Sequence, residues 1–462
     1  MTGAELLALC KDALDAAGEA EVEICARSRH RGVARFAIGE LSQHMELVEP
    51  QALVRVAHGK RVAEVASSVL DRETLLLCIA DAVKAARLVP ETEGFDGFSG
   101  DEPAGEEPPR YAASTASADA EERVERLIPL LASIRAAGLV SAGYLETSTA
   151  SIAVATTRGC ARAHDGTMAS YKVWALETPG AGGAAGYGGH LHKDVGALRL
   201  AEETERAIRI AKMSKSPGSI DAGVYDVVME PPAVSELLEW LSTITFGAPE
   251  VEQGTSAMAG RIGELVTGER IGIVENPLDP SDLGFGAPFD REGTWRRKVS
   301  LIEQGRAKEL LYDRTYATRR NAVSTGSAIL PEFGVAGVGT SCCQLAGGDA
   351  KSVDELIAGM ERGLYVCRLH YVNGLLEPRR TVMTGLTRDG CFLVEKGKIV
   401  RAVGNVRFTD SFLEGLARCD GMTKERAAIP TWWSDAGACV APAIRMRGFL
   451  FNGKSQQQPE DR

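Results

Sequence analysis

Three side chains that can bind a metal ion alternate along one short segment of the sequence. His190, His192 and Asp194 are separated by single residues, so a β-strand would place all three on one face. Imidazole nitrogens and a carboxylate on one face are suitable ligands for a divalent metal. The neighbouring glycines also fit a solvated hairpin tip, which is the interpretation that we favour for this segment.

Motifs of common nucleophilic and nucleotide-binding sites are missing from the sequence. It contains no GxSxG elbow, no GxxxxGK[ST] loop and no GxGxxG after a strand. The glycine-rich stretch at 179–189 is followed by strand-type residues, whereas a phosphate site needs the N–H groups of a helix start. The 10 cysteines are scattered singly apart from Cys342–Cys343, so we expect reduced, buried thiols; the sequence leaves any chemical role of that pair open.

The elements that would position such groups occur in a repeated order. Each of two successive stretches contains a helix, five short β-type runs and a second helix, which predicts an internal duplication over about residues 1–215. Between them, residues 98–121 are rich in Pro, Gly, Ala, Ser and acidic residues. Such a composition buries little apolar surface, which indicates a linker or a long loop.

The remaining chain is dominated by short β-type segments. They follow a strand and a helix that begins at Pro231, where proline suits the first helical turn. Further helices are predicted at 353–363 and 411–417. We therefore predict an α+β fold with an N-terminal duplicated helix–antiparallel strands–helix domain and a mainly antiparallel β C-terminal domain. Its predicted parts are an N-terminal α+β half at 1–97, a linker at 98–121, a second α+β half at 122–219 and a β-rich domain at 220–462.

Length and charge limit the classes of function. The chain has 462 residues, of which 44% are hydrophobic and 25% charged, as in soluble globular proteins of two to three domains. The formal net charge of −11 argues against general binding to nucleic acid or to anionic membranes. No apolar run reaches the roughly 18 residues that span a bilayer, and the acidic start is unlike a signal peptide. We expect a cytoplasmic protein.

Several separated motifs, in this order, resemble those of the TldD/PmbA family, whose members were once described as modulators of DNA gyrase. The resemblance covers nearly the whole chain and is weak at 98–121 and 425–440. The motifs are AEVEICARSR at 20–29, GELVTGERIGIVENP at 263–277, PLDPSDLGFGAPFDREGTWRRKVSLIEQGRAKELLYDRTYATRRNAVSTGSA at 277–328 and GCFLVEKGKIVRAVGNVRFT at 390–409.

The resemblance implies where a zinc site would lie. In the family's catalytic branch, a helix carries HExxxH, its histidines and a cysteine near the C-terminus bind zinc, and its glutamate is the general base. The spacing places both histidines near one helix face. With the block from Gly254-Thr255-Ser256 to Gly263-Glu264-Leu265-Val266 aligned without a gap, the three motif positions are Glu239, Trp240 and Ile244.

These substitutions remove the chemistry of the motif. Ile244 cannot bind a metal, and Trp240 cannot take a proton from water. Glu236 and Glu239 remain on the helix, but carboxylates without imidazole bind hard cations weakly, and a solvated helix face is the favoured interpretation. Neither Cys419 nor Cys439 matches the family's cysteine cleanly. We therefore predict no catalytic residue and no metal ligand in this chain.

The resemblance is greatest to the PmbA/TldE-type branch, which lacks the zinc motif. Such members form a heterodimer with a TldD-type catalytic subunit that carries HExxxH and zinc, and the complex degrades or processes extended peptides such as leader or precursor peptides. Two alternatives stay open: a redirected enzyme that uses Glu236, Glu239, His190, His192 or Cys342–Cys343, and a binding or scaffold protein. A dimer, hetero or homo, is expected because exposed strand edges are usually covered.

One loop departs from the family pattern. Where many relatives have Val-Asn-Pro-x-Thr-Gly-Asp-Phe, this chain has Val372-Asn373-Gly374-Leu375. We expect the strand geometry to persist and the loop itself to differ, which would alter the choice of substrate or partner.

Overall fold

The structure is a computed structural model that describes residues 1–178, 183–332, 335–430 and 438–453. The helices are α1 (Gly3–Asp15), α2 (Arg72–Ala86), α3 (Ala113–Ala116), α4 (Ala120–Ala136), α5 (Leu200–Met213), α6 (Pro231–Thr245), α7 (Ala248–Glu252), α8 (Arg314–Arg319), α9 (Val353–Ala358) and α10 (Phe412–Ala417). The first strands are β1 (Glu21–Ala37), β2 (Glu40–His58), β3 (Arg61–Ser67), β4 (Val140–Thr156), β5 (Ala161–Leu176), β6 (Ala185–His192), β7 (Gly223–Met229), β8 (Ile273–Glu275), β9 (Val299–Glu303) and β10 (Arg306–Ala307). The later strands are β11 (Ala328–Glu332), β12 (Val335–Val338), β13 (Cys342–Leu345), β14 (Arg362–Glu377), β15 (Val382–Glu395), β16 (Lys398–Ala402), β17 (Arg407–Ser411), β18 (Cys419–Pro430) and β19 (Ala438–Phe451).

Strands β1 to β6 form one antiparallel sheet in the order β3-β2-β1-β4-β5-β6. Its two three-stranded halves meet where β1 pairs with β4. The helices α1 and α2 cover one half and α4 and α5 cover the other, each through its own apolar cluster. Side chains of Thr2, Asp71 and Asp119 cap α1, α2 and α4, because their oxygens accept backbone N–H groups that have no partner within the helix. The predicted duplicated order is confirmed.

Each half contains three long strands, whereas five short runs were predicted. Arg31-Gly32 and Glu49-Pro50 are residue pairs typical of turns, but both pairs lie inside the continuous strands β1 and β2. Pro50 pairs opposite Ser28 in a stretch where β2 has no neighbour other than β1, since the β2–β3 ladder begins at Ala52. Proline is tolerated at such an edge, so the local turn signal did not interrupt the strand.

The C-terminal sheet has 11 strands and is mainly antiparallel, which confirms the predicted α+β class. The pairings of β7, β14, β15, β17 and β19 close into a ring. Phe408, Phe449 and Phe451 are fully buried in the core of this part. The helix predicted at 353–363 is shorter than expected, because α9 ends at Ala358 and β14 begins at Arg362.

The helix α6 packs on this sheet and is buried at 12 of its 15 positions. Its start at Pro231 agrees with the prediction. Leu237, Leu238 and Leu241 belong to the largest apolar cluster, together with residues of β7, β8, β13, β14 and β19. A helix that is apolar on most of its circumference is typical of burial between layers, so α6 has little freedom to move without disrupting the core.

The face of the six-stranded sheet opposite its helices contacts the C-terminal part of the chain. Phe289 packs with Cys25 and Val154, and the buried Arg55 donates to Glu23 Oε1 at 2.7 Å and to Glu292 Oε1 at 2.9 Å. Ser99, in the segment predicted as a linker, donates to the Glu292 carbonyl oxygen at 2.6 Å. The boundaries of the four predicted parts stay predictions. Among the described helices, none combines the length and apolarity needed to cross a bilayer.

Candidate functional site

The positions that the sequence resemblance aligns with the zinc motif lie in the middle and second half of α6. Ile244 is 5% exposed within the core of the C-terminal part, and Trp240 is partly buried against the same core. The indole of Trp240 also lies against Gly374 of β14. Two of the three motif positions are therefore filled by apolar groups that pack with the protein interior.

Glu236 and Glu239 line a small cavity between α6 and strands β5, β6, β14 and β18. Both glutamates are buried, so the predicted solvated helix face is wrong, because strands distant in sequence cover it. The cavity is about 20 Å³, enough for about one water molecule. Its other polar side chains are Lys172, Ser235, Tyr187 and Arg368, and two cations thus face two carboxylates.

The charges around this cavity are fixed by their neighbours. Arg368 Nη1 donates to Asp389 Oδ2 at 2.6 Å, and its guanidinium lies 4.8 Å from the centre of the Tyr187 ring. Trp174 Nε1 donates to the same Asp389 oxygen at 2.9 Å. Burial raises the pKa of Glu236 to about 7. The negative charge of Glu239 adds to this rise, and the positive charges of Arg368 and Lys172 oppose it. The two cations thus offset only part of the effect of burial on Glu236.

Cys439 lies close to this helix. It is buried on β19 within the same apolar cluster as Leu237 and Leu241. Burial is the main cause of the raised pKa of its thiol, and the negative charge of Glu239 adds to it. Cys419, at the start of β18, makes a separate contact, Sγ to the Gly421 carbonyl oxygen at 3.5 Å. Of Cys419 and Cys439, it is therefore Cys439 that lies in the environment of Glu239, the first motif position.

These residues do not fit the zinc site of the family's catalytic branch. Glu239 and Cys439 supply two groups with electron pairs, but the third position is the buried alkyl side chain of Ile244. Within the described residues, no group of three or more His, Cys, Asp or Glu is arranged to hold a metal ion. We therefore derive no reaction step through a metal bound to this chain.

His190, His192 and Asp194 stay near one another but are engaged separately. The two imidazole rings stack with centroids 6.4 Å apart, and burial lowers the pKa of His190 to about 4. Asp194 lies beyond β6, where its Oδ1 accepts from Gly196 N at 2.8 Å and Ser114 Oγ at 2.6 Å. The interpretation as a solvated hairpin tip is wrong for His192, which is buried and lies 3.3 Å from Asp282 Oδ1 through Nε2.

The adjacent cysteines of β13 point to opposite faces of the sheet. Cys343 packs in the core beneath α6, and Cys342 packs with Leu191 and Phe285. All ten cysteines are buried free thiols. Alternation along a strand separates the two sulfur atoms, so they do not form one reactive pair.

Residues 222–453 match the family model described as the PmbA/TldA metallopeptidase C-terminal domain. This match covers half of the chain and contains α6 and the whole C-terminal sheet. The chain belongs to the PmbA/TldD family. The resemblance drawn from the separated sequence motifs is thereby confirmed.

Similar members of the PmbA/TldD family include both metalloproteases and a TldE structure. A metalloprotease of Methanothermobacter thermautotrophicus is 26% identical over 255 residues, 54% of each chain, and the metalloprotease TldD homolog of Buchnera aphidicola is 24% identical over 239 residues, 51% of this chain and 48% of that one. The chain thus spans about half the length of these curated relatives. The crystal structure of TldE from Thermococcus kodakarensis superposes with a TM-score of 0.84 at 20% identity, covering 97% of this chain and 99% of that one, and so shares its fold.

Proposed function

We propose that this chain is a non-catalytic, TldE-like subunit that pairs with a TldD-type subunit carrying an intact HExxxH motif. The observation that supports this most is the filling of the motif positions on α6, where Trp240 and Ile244 pack with the core. A buried isoleucine leaves no ligand for zinc, and an indole is no general base. The zinc and the catalytic glutamate of the complex belong to the partner.

The contribution of this chain to the complex is half of a cleft for extended peptides. Strand β3 ends the six-stranded sheet at one side, and β16 pairs with a single described neighbour. The edge strands β6 and β18 lie against each other. A free strand edge binds an extended peptide through backbone hydrogen bonds, which makes recognition tolerant of sequence. Flexible peptides such as leaders or precursors are the substrates that suit this mode of binding. The buried free thiols fit a reducing, cytoplasmic setting.

The carboxylates of α6 favour this proposal over a redirected enzyme. Glu236 and Glu239 face Lys172 and Arg368 in a cavity of about 20 Å³. A substrate larger than water has no room there, and the cations neutralise the charge that a metal would need. We assign both glutamates a structural role.

Co-expression tests the proposal. The chain would be tagged and produced together with an HExxxH-bearing family member of the same source, and the purified material would be assayed for cleavage of an unstructured peptide. The expected result is a stable complex that cleaves, while the isolated chain is inactive. A partner in which the motif glutamate is changed to glutamine is the matched control and should form an inactive complex.

Two results would overturn the proposal. One is full cleavage by the isolated chain, which would make it an enzyme. The other is normal cleavage by the partner alone together with no co-purification, which would leave no role for this chain as a subunit.

A further inference from the structure

A second cavity, of about 260 Å³, lies between the six-stranded sheet and the loop that contains residues 284–296. It is lined on one side by β1, β4 and β5 and on the other by that loop, by β11 and by residues 340–341. The charged side chains among the described residues that line it are all basic. These basic residues are Arg27, Arg29, Arg110, Lys193, Arg291 and Arg296.

Within the described part of the chain, several of these cations have N–H groups without a hydrogen-bond acceptor. Arg110 is 5% exposed; its Nη2 donates to the carbonyl oxygens of Pro277 at 2.6 Å and Asp279 at 2.8 Å, but its Nε and Nη1 have no partner among the described residues. Arg296 Nε donates to the Phe289 carbonyl oxygen at 3.3 Å, and its Nη1 has no hydrogen-bond partner among the described residues. Buried N–H groups that lack an acceptor are unusual in a native protein, and these three donors are available to a ligand.

The remaining wall is apolar. Met168, Phe285 and Phe289 contribute to it, and Ile329 and Leu330 of β11 complete it. Burial lowers the pKa of Arg110, which means that a neighbouring negative charge would stabilise its charged form. Arg29, Arg291 and Lys193 already pair with carboxylates outside the lining, namely Glu146, Glu64 and Asp282. The cavity therefore combines the N–H groups of Arg110 and Arg296 that have no acceptor among the described residues with a hydrophobic surface, at a size close to the lower limit of small-molecule sites.

We propose that this cavity binds a small organic carboxylate with an apolar body. The carboxylate accepts the free N–H groups of Arg110 and Arg296, since guanidinium and carboxylate groups match in geometry and charge. The apolar body packs on Phe285 and Phe289. The site is separate from α6 and does not depend on pairing with another subunit.

This chemistry has two sources, a medium-chain fatty acid and the C-terminus of an apolar peptide. Octanoate and N-acetyl-leucyl-leucine represent them in isothermal titration calorimetry with the full chain. Octanamide and octylammonium have the same apolar body without the negative charge. We expect at least one of the two carboxylates to bind, and the neutral and cationic analogues to bind at least about tenfold more weakly. The tighter of the two carboxylates identifies the source.

Variants locate the binding. Arg296→Met and Arg110→Met should each weaken carboxylate binding by about tenfold or more, since each removes donors from the cavity. Arg297→Met is the matched control, because Arg297 is exposed, lies outside the cavity and pairs with Glu309 at 2.8 Å. This variant should bind the carboxylate as the wild type does. The contrast between octanoate and octanamide tests the proposal even if Arg110→Met fails to fold. Equal binding of charged and neutral analogues, or no heat with either carboxylate at about 5 mM, would overturn it.

Discussion

The indole of Trp240 lies so close to the α-carbon of Gly374 that a Cβ at position 374 would come within 2.9 Å of Cε3 of that ring. The sequence resemblance aligns Trp240 with the general base of the family's catalytic branch and Gly374 with a proline of many relatives. These two departures from the family pattern are thus parts of one packing arrangement, because the larger side chain on α6 requires the smaller residue on β14.

This contact predicts an energetic coupling between the two positions. Gly374→Ala should destabilise the protein by about 1–3 kcal/mol, because the added methyl group overpacks against the indole. In a Trp240→Ala background, the same change should cost clearly less. Urea unfolding of the two single variants and the double variant measures the coupling. Equal costs of Gly374→Ala in both backgrounds would show that the indole does not determine the residue at 374.

Glu236 predicts a specific dependence of stability on pH. Its pKa rises from an ordinary value near 4.5 to about 7 on folding, so between these values the folded state holds a proton that the unfolded state has released. Stability attributable to Glu236 therefore falls as the pH rises from about 4.5 to about 7, and is constant above it. Glu236→Gln should remove that fall. The stability of the variant minus that of the wild type should therefore be about 1–3 kcal/mol larger at pH 8 than at pH 5. Urea unfolding at several pH values checks this, with the exposed Glu107→Gln as the control; parallel curves for Glu236→Gln and wild type would contradict it.

The stability of the protein should depend strongly on the buried ion cluster around Arg55. Arg55 joins Glu23 of β1 to Glu292 of the C-terminal part, and all three side chains are buried. Arg55→Met would leave two carboxylates without their shared cation, at a cost of about 3–5 kcal/mol. The comparison is Arg61→Met on the exposed end of β3, which should change stability little. A loss below about 1 kcal/mol for Arg55→Met would mean that other cations replace it.

The thiols predict slow chemical modification. All ten cysteines are buried, and burial raises the pKa of Cys439 and of Cys342. Thiols that stay protonated and inaccessible react slowly. Titration with an aromatic disulfide reagent should detect few thiols in the native protein and all ten after unfolding. Rapid native reaction of Cys342 or Cys343, identified by mass spectrometry, would revive the idea of a reactive pair.

The sequence predicted the elements whose signals are local. The initial prolines of α6 indicated where this helix begins, and the repeated order of helices and strands indicated the duplicated sheet. The long strands β1 and β2 were divided in the prediction because Gly32 and Pro50 are turn residues in isolation. Pairing with neighbours along the whole strand outweighs such a signal.

The environment of the candidate site depended on contacts that sequence reading does not reveal. Glu236 and Glu239 were interpreted as solvated because α6 alone offers no partner for them; Lys172 and Arg368 come from β5 and β14. The proximity of Cys439 to α6 likewise follows from the position of β19. The basic cavity was missed for the same reason, since its arginines are scattered over the chain and meet only when the two sheets pack.

The deciding measurement is the zinc content, by mass spectrometry, of the isolated chain and of its complex with an HExxxH-bearing subunit. We expect no stoichiometric zinc in the isolated chain and about one zinc ion per complex, unaffected by Cys439→Ala in this chain. One zinc ion in the isolated chain that is lost on changing Glu239 or Cys439 to alanine would contradict it.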